Sequence, residues 1–129
     1  EILERAAEES MFNLVAVTEK LHAYGFSVAM DDFGSGQSSL SMLDEVPIDV
    51  LKFDQNFLRN SKNCEEHDKM INILINLGKQ LNKKTLFEGV ETQEQRDMLK
   101  ELNCDQVQGY FYSKPLDEAD FVDFVKEHL

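Results

Sequence analysis

Four short apolar runs, at 27–30, 50–53, 84–87 and 106–108, alternate with longer segments whose apolar residues recur every three or four positions. That alternation builds βα units around a parallel sheet and disfavours an all-helical bundle or a β-sandwich. The first helical segment covers 12–24, where Leu14, Val17 and Leu21 share a face and Gly25 stops the last turn. A short helix follows Ser38-Ser39. Between 65 and 81, Met70, Ile71, Leu74, Ile75, Leu77 and Leu81 mark the most strongly patterned helix. Another spans 93–102, and the last follows Pro115-Leu116-Asp117, with Asp117 as its N-cap and Phe121, Val122, Phe124 and Val125 along it. The expected class is α/β with about four βα units, too few to close an eight-stranded barrel. An open sheet of that size leaves two edges to protect, so further strands are expected before Glu1.

Composition narrows the function. At 129 residues, 42% of them hydrophobic, the chain has the size and apolar content of one small domain with a real core. A formal charge of −12 excludes a nucleic-acid duplex as partner, because duplex binding draws on Lys and Arg facing phosphates. Apolar stretches such as Ile73-Leu74-Ile75 are interrupted far short of the roughly 20 residues needed to cross a bilayer. No secretory signal opens the sequence. Cys64 and Cys104 lack metal-binding spacing and are expected to be reduced, structural thiols. A cytoplasmic location is expected, with a membrane anchor elsewhere in a longer parent still open.

The chemistry is suggested by where polar residues fall. Asp31-Asp32 follow the first apolar run, Lys52 sits late in the second, and Glu88 and Gln108 end the third and fourth. In parallel α/β folds these carboxyl ends converge on one face, where ligands bind. Each residue also has a structural reading. Asp31-Asp32 before Phe33-Gly34 suit a turn, Lys52 could extend its ammonium to an edge, Glu88 before Gly89 suits a surface loop, and Gln108 could satisfy backbone groups. Adjacent carboxylates repel, however, and a hard divalent cation between them explains the pair more economically. Lys52 in Val50-Leu51-Lys52-Phe53 then faces carboxylates or a phosphate. His22, His67 and His128 lie on helical segments and are expected to be solvated or structural. The loop from Phe33 to Ser39 fits no phosphate-binding glycine motif but could act as a lid. A phosphate-receiver arrangement is disfavoured, because Asp32 to Asp54 leaves space for barely one short helix.

Taken together, Asp31-Asp32-Phe33-Gly34-Ser35-Gly36, Leu51-Lys52-Phe53-Asp54, Glu88-Gly89-Val90-Glu91-Thr92, and Gln108-Gly109-Tyr110 with Ser113-Lys114-Pro115 resemble the ordered motifs of the EAL family. Glu1-Ile2-Leu3-Glu4 resembles the family's ExxE segment. Gln37, Phe53 and Gln55 depart from the usual pattern, and the namesake Glu-Ala-Leu segment does not occur in this sequence. The resemblance implies the C-terminal part of a modified TIM (βα)8-type barrel, with residues 1–129 forming a partial domain. It also implies metal-dependent hydrolysis of cyclic di-GMP to linear pGpG, with a pair of magnesium or manganese ions. By resemblance, Glu1 and Asp31 are metal ligands and Asp32 serves the second metal. Lys52 holds and polarises the attacking water, and Glu88 is the base or the partner of a metal-held water. Glu91 and Gln108 contact the site or substrate, and Glu4 braces the loop after Asp32.

Two readings of different classes follow. In the first, the chain is part of a cyclic di-GMP phosphodiesterase, with weak or no turnover on its own. In the second, it is a non-catalytic cyclic di-GMP-binding or protein-interaction module. Either reading predicts a homodimer or completion by a missing N-terminal segment, because exposed sheet edges seek partners.

Overall fold

A computed structural model describes residues 2–3, 11–34, 40–59 and 64–128. In chain order these form β1 (Ile2–Leu3), α1 (Met11–Ala23), β2 (Ala29–Asp31), α2 (Leu40–Glu45), β3 (Val50–Phe53), α3 (Asn56–Arg59), α4 (Cys64–Gln80), β4 (Lys84–Phe87), α5 (Gln93–Glu101), β5 (Gln106–Val107) and α6 (Glu118–His128). The strands make one five-stranded parallel sheet in the order β1-β2-β3-β4-β5. The α/β class and all four expected strands are therefore present. The additional strand, β1, pairs Ile2 with Met30 and Leu3 with Asp31. Two residues are too short a run for periodicity to reveal.

The central strand explains where the core sits. Every residue of β3 is buried, including Lys52, as expected of a parallel strand covered on both faces. Phe53 stacks on Phe87 at a centroid distance of 4.7 Å, while Phe33 and Phe57 meet it edge-on at 5.7 and 5.8 Å. Burying each such ring stabilises the fold by about 1.5–3 kcal/mol. Met30, Leu51, Ile71, Ile75, Val90 and Leu99 complete the centre of the cluster.

The helices correct the sequence reading in detail. In α1, Val17 is 50% exposed and Thr18 is fully buried, so the inward face runs through Leu14, Val15 and Thr18. In α4 the buried side is Ile71 and Ile75, with Leu74 and Leu77 half-buried, whereas Met70 and Leu81 lie outside. A helix with apolar residues over much of its circumference does not reveal which stripe meets the sheet. The stops and caps follow sequence chemistry more closely. Gly25 at φ 83° lets its own N–H reach the His22 carbonyl (2.9 Å) and the Phe26 N–H reach that of Leu21 (3.0 Å). Thr92 and Gln95 form a reciprocal capping box on α5, and Asp117 accepts the Asp120 amide at 3.0 Å to cap α6. Among the described residues, no helix is long and apolar enough to cross a membrane.

The expected histidine and cysteine roles are structural where described. A His67 ring nitrogen bonds the Phe57 carbonyl, and His128 Nδ1 bonds that of Phe124 at 2.8 Å. Burial pushes the Cys104 thiol up, although contacts with Thr85 and Gln106 oppose the shift. The Cys64 side chain lies outside the described residues.

The amino end of the sheet is closed by Asp49. Its Oδ2 accepts the Val28 amide at 2.6 Å and lies 2.8 Å from His22 Nε2. Its own N–H donates to the Val28 carbonyl at 2.9 Å. The Val28 carbonyl also accepts the Val50 amide at 3.2 Å, and the pairing of Asp31 with Leu3 of β1 carries β2 to Asp31. Burial pushes the Asp49 carboxyl up, but the Val28 amide, the His22 bond and the charges of His22 and Lys83 outweigh it and hold it below its ordinary value. Asp49→Asn is expected to cost about 1 kcal/mol at pH 7. A carboxyl held low stabilises the fold fully above its unfolded pKa and loses that contribution as pH falls through its folded value. Urea unfolding from pH 7 downward checks this, and a gap between the two chains that persists undiminished into strong acid refutes the assignment.

Candidate metal centre

At the opposite end of the sheet, β2, β3 and β4 deliver charge to one place. Lys52 is 5% exposed, and its Nζ lies 3.3 Å from Asp31 Oδ1 and 3.1 Å from Glu88 Oε2. Its aliphatic stem runs within the central strand, so the ammonium can be buried only where carboxylates meet it. Asp31 comes from the last position of β2 and Glu88 from the first position after β4. The sequence-derived trio of Asp31, Lys52 and Glu88 is thus brought together.

The turn after β2 aims the second aspartate. Asp32 adopts φ 56°, a left-handed conformation that Asp tolerates better than most residues. Its amide donates to Asp31 Oδ1 at 3.0 Å, and the next amide, Phe33 N–H, donates to the Lys52 carbonyl at 3.0 Å. Asp32, Asp54 and Glu88 each offer a carboxylate oxygen, and these three atoms lie within 4.8 Å of one another. All three residues are half-buried.

Asp54 is not among the site residues expected from the sequence. The signal was its offset of two from Lys52, which in an extended strand places both side chains on one face. One Asp54 oxygen also accepts the Asn56 amide at 2.8 Å, fixing the carboxylate at the start of α3.

The remaining sequence-derived positions lie elsewhere. Glu91 bonds Arg59 Nη2 at 3.0 Å, and its amide donates to Gln95 Oε1 at 2.8 Å. Gln108 is exposed, its backbone amide donates to the Phe87 carbonyl at 2.9 Å, and its carbonyl accepts the Val90 amide at 3.1 Å. Neither residue belongs to the three-carboxylate group. Glu1 and Glu4 lie outside the described residues, as does most of the expected lid, residues 35–39.

The donor set suits a hard divalent cation. Asp32, Asp54 and Glu88 gather three carboxylates, and Glu88 shares the Lys52 ammonium with Asp31. Oxygen-only ligands this close repel unless a cation lies among them, and magnesium, manganese and calcium prefer such oxygens. The arrangement can hold a cation, present an ammonium to an anion, and supply a carboxylate as proton acceptor.

The EAL domain family matches residues 1–115. The chain is similar to the cyclic di-GMP phosphodiesterase RocR of Pseudomonas aeruginosa, 38% identical over 92% of this chain and 29% of that protein. It is also similar to the cyclic di-GMP phosphodiesterase NbdA of the same organism, 34% identical over 98% of this chain and 16% of that protein. The PaMucR phosphodiesterase solved in complex with c-di-GMP superposes with a TM-score of 0.81 at 31% identity, covering 93% of this chain and 49% of that one. The chain thus spans under a third of these two curated relatives and about half of the solved domain. Such structural neighbours are TIM-barrel-like.

Removing the central ammonium should be costly. Lys52→Met is expected to lower stability by about 3 kcal/mol at neutral pH, because Asp31 and Glu88 lose their buried counter-charge. Denaturant unfolding followed by far-UV circular dichroism measures this, and an unchanged midpoint would show that the pair is not energetically coupled.

Proposed function

The chain belongs to the EAL domain family, and from that premise we propose that it is the part of a cyclic di-GMP phosphodiesterase domain carrying the carboxylates and lysine of the reaction centre. The observation that carries this reading is the group of Asp32, Asp54 and Glu88 beside a Lys52 buried between Asp31 and Glu88. The family's phosphodiesterases are metal-dependent, and the donor set fits magnesium or manganese. Asp32, Asp54 and Glu88 would hold such an ion, with Asp31 and Glu1 extending the ligand set as the resemblance implies. A divalent ion bound there acidifies water and offsets negative charge on the phosphate.

The protein's own groups do the rest. Lys52 faces the phosphate oxygens and the attacking water with a positive charge that is already desolvated. Glu88 accepts a proton from the water as its oxygen bonds to phosphorus and the bond from phosphorus to the ribose 3′-oxygen breaks. The 3′-oxygen takes a proton from solvent as it leaves, giving linear pGpG, and Glu88 later returns its proton to solvent. By the family resemblance Glu91, held by Arg59, and Gln108 would contact the dinucleotide, and Glu4 would brace the turn after Asp32.

We also place the protein in the cytoplasm and assign it a partner at its sheet edges. Strands β1 and β5 each have one neighbour in the described sheet, and such edges associate unless covered. Light scattering is expected to show self-association of the isolated chain, and a monomer at every concentration would oppose it. For the reaction, the test is hydrolysis of cyclic di-GMP by a complete EAL domain containing this chain. Turnover is expected to stop when divalent ions are chelated. Glu88→Gln is expected to reduce turnover by about 100-fold or more while the fold is retained. Turnover at the unaltered rate in that variant would exclude Glu88 as the proton acceptor.

A further inference from the structure

Gly109 lies where β5 passes into its exit loop, and a side chain there has nowhere to go. A Cβ on Gly109 would come within 2.1 Å of the Val90 carbonyl oxygen and 2.4 Å of its nitrogen. Its φ is outside the left-handed region, so space rather than backbone freedom requires glycine. The opposing atoms are backbone and cannot rotate aside as a flexible side chain would.

Val90 cannot retreat easily. It is fully buried, its N–H donates to the Gln108 carbonyl at 3.1 Å, and its carbonyl accepts the Phe111 amide at 3.0 Å. The other flank of the same segment is equally close. Gly89 has φ 76°, and a Cβ there would stand 2.3 Å from Gln55 Cβ. Just before it, the Glu88 amide donates to the Phe53 carbonyl at 3.1 Å. Residues 88–90 are therefore wedged between the exit of β3 and the exit of β5.

We propose that Gly109 is a positioning residue for Glu88, acting through the backbone of Val90. This rests on the reading of Glu88 as a carboxylate of the metal centre. A methyl group at 109 drives Val90 toward Gly89, which is already against Gln55, and the displacement reaches the carboxylate that meets Lys52. Gly25 provides the control. It lies at the amino end of the sheet with φ 83°, and nothing stands within 4 Å of its Cβ position, so alanine there strains the backbone without touching the site.

The experiment compares the unaltered chain, Gly109→Ala and Gly25→Ala by two measurements. One is the 15N signal of the Lys52 ammonium in metal-free protein, and the other is calorimetric titration with Mn2+. Gly109→Ala is expected to shift or broaden the Lys52 signal and weaken Mn2+ binding by about 10- to 100-fold. Gly25→Ala should leave both as they are. An unmoved Lys52 signal with unaltered Mn2+ affinity in Gly109→Ala would mean that Gly89 absorbs the displacement, and the proposal falls. If no chain binds Mn2+ but the Lys52 signal still moves in Gly109→Ala alone, positioning stands and the metal reading fails. Should Gly109→Ala not fold, amide exchange on the unaltered chain decides. Val90 and Phe111 amides protected like those of β4 support the wedge, and exchange at open-loop rates overturns it.

Discussion

A buried ammonium with carboxylates on two neighbouring strand ends is the constraint on which the centre of this structure depends. Lys52 is the one charged position in β3, and burying it unpaired would cost several kcal/mol. The cost is avoided because Asp31 arrives from β2 and Glu88 from the exit of β4. One side chain thereby fixes the relative alignment of three strands. It also tempers the mutual repulsion of Asp31 and Glu88, and the Glu88 carboxylate stands beside those of Asp32 and Asp54. Electrostatics at this end of the sheet and strand register are consequently one problem, solved by one residue.

Backbone hydrogen bonds carry that order into the loops. The Phe33 amide donates to the Lys52 carbonyl, the Glu88 amide to that of Phe53, and the Gln108 amide to that of Phe87. The ladder thus continues past the strand ends, where the functional side chains begin. Asp32 and Glu88 are held by loops that behave as extensions of the sheet, and rigid supports of this kind make preorganised binding sites possible. The close approach at Gly109 and Gly89 belongs to the same construction, since loops pressed together at backbone distance cannot drift independently.

The sheet was largely legible in the sequence because its strands are short, apolar and separated by helical periods. The site was legible because charge interrupts or ends those runs at Asp31, Lys52 and Glu88. What escaped did so for physical reasons. Val17, expected on the inward face, lies outside while Thr18 is buried, because α1 offers two adjacent stripes and only packing against the sheet selects one. β2 reaches Asp31, one residue beyond the expected run, because Asp31 pairs with Leu3 of β1, a partner strand too short to announce itself. Asp54 carries a spacing signal but reads equally well as the cap of a short helix, and it serves as that cap as well. Glu91 is expected by resemblance to contact the site or substrate, and its pairing with Arg59, 32 residues away, is not announced by any local pattern.

The two ends of the sheet divide stability from function. At the amino end, Asp49 is matched by an amide and by the charges of His22 and Lys83, so its ionisation favours the fold. At the carboxyl end, Asp32, Asp54 and Glu88 each bring a carboxylate oxygen within 4.8 Å of the others, and like charges that close repel. A sheet selected for stability alone would not assemble such a group. Its repulsion is offset in part by Lys52 and would be offset further by a bound cation, which stabilises the folded state in proportion to its occupancy. The carboxylates that would hold the ion are therefore the ones whose repulsion the unliganded sheet must accommodate, and Lys52 shares that task through its pair with Glu88.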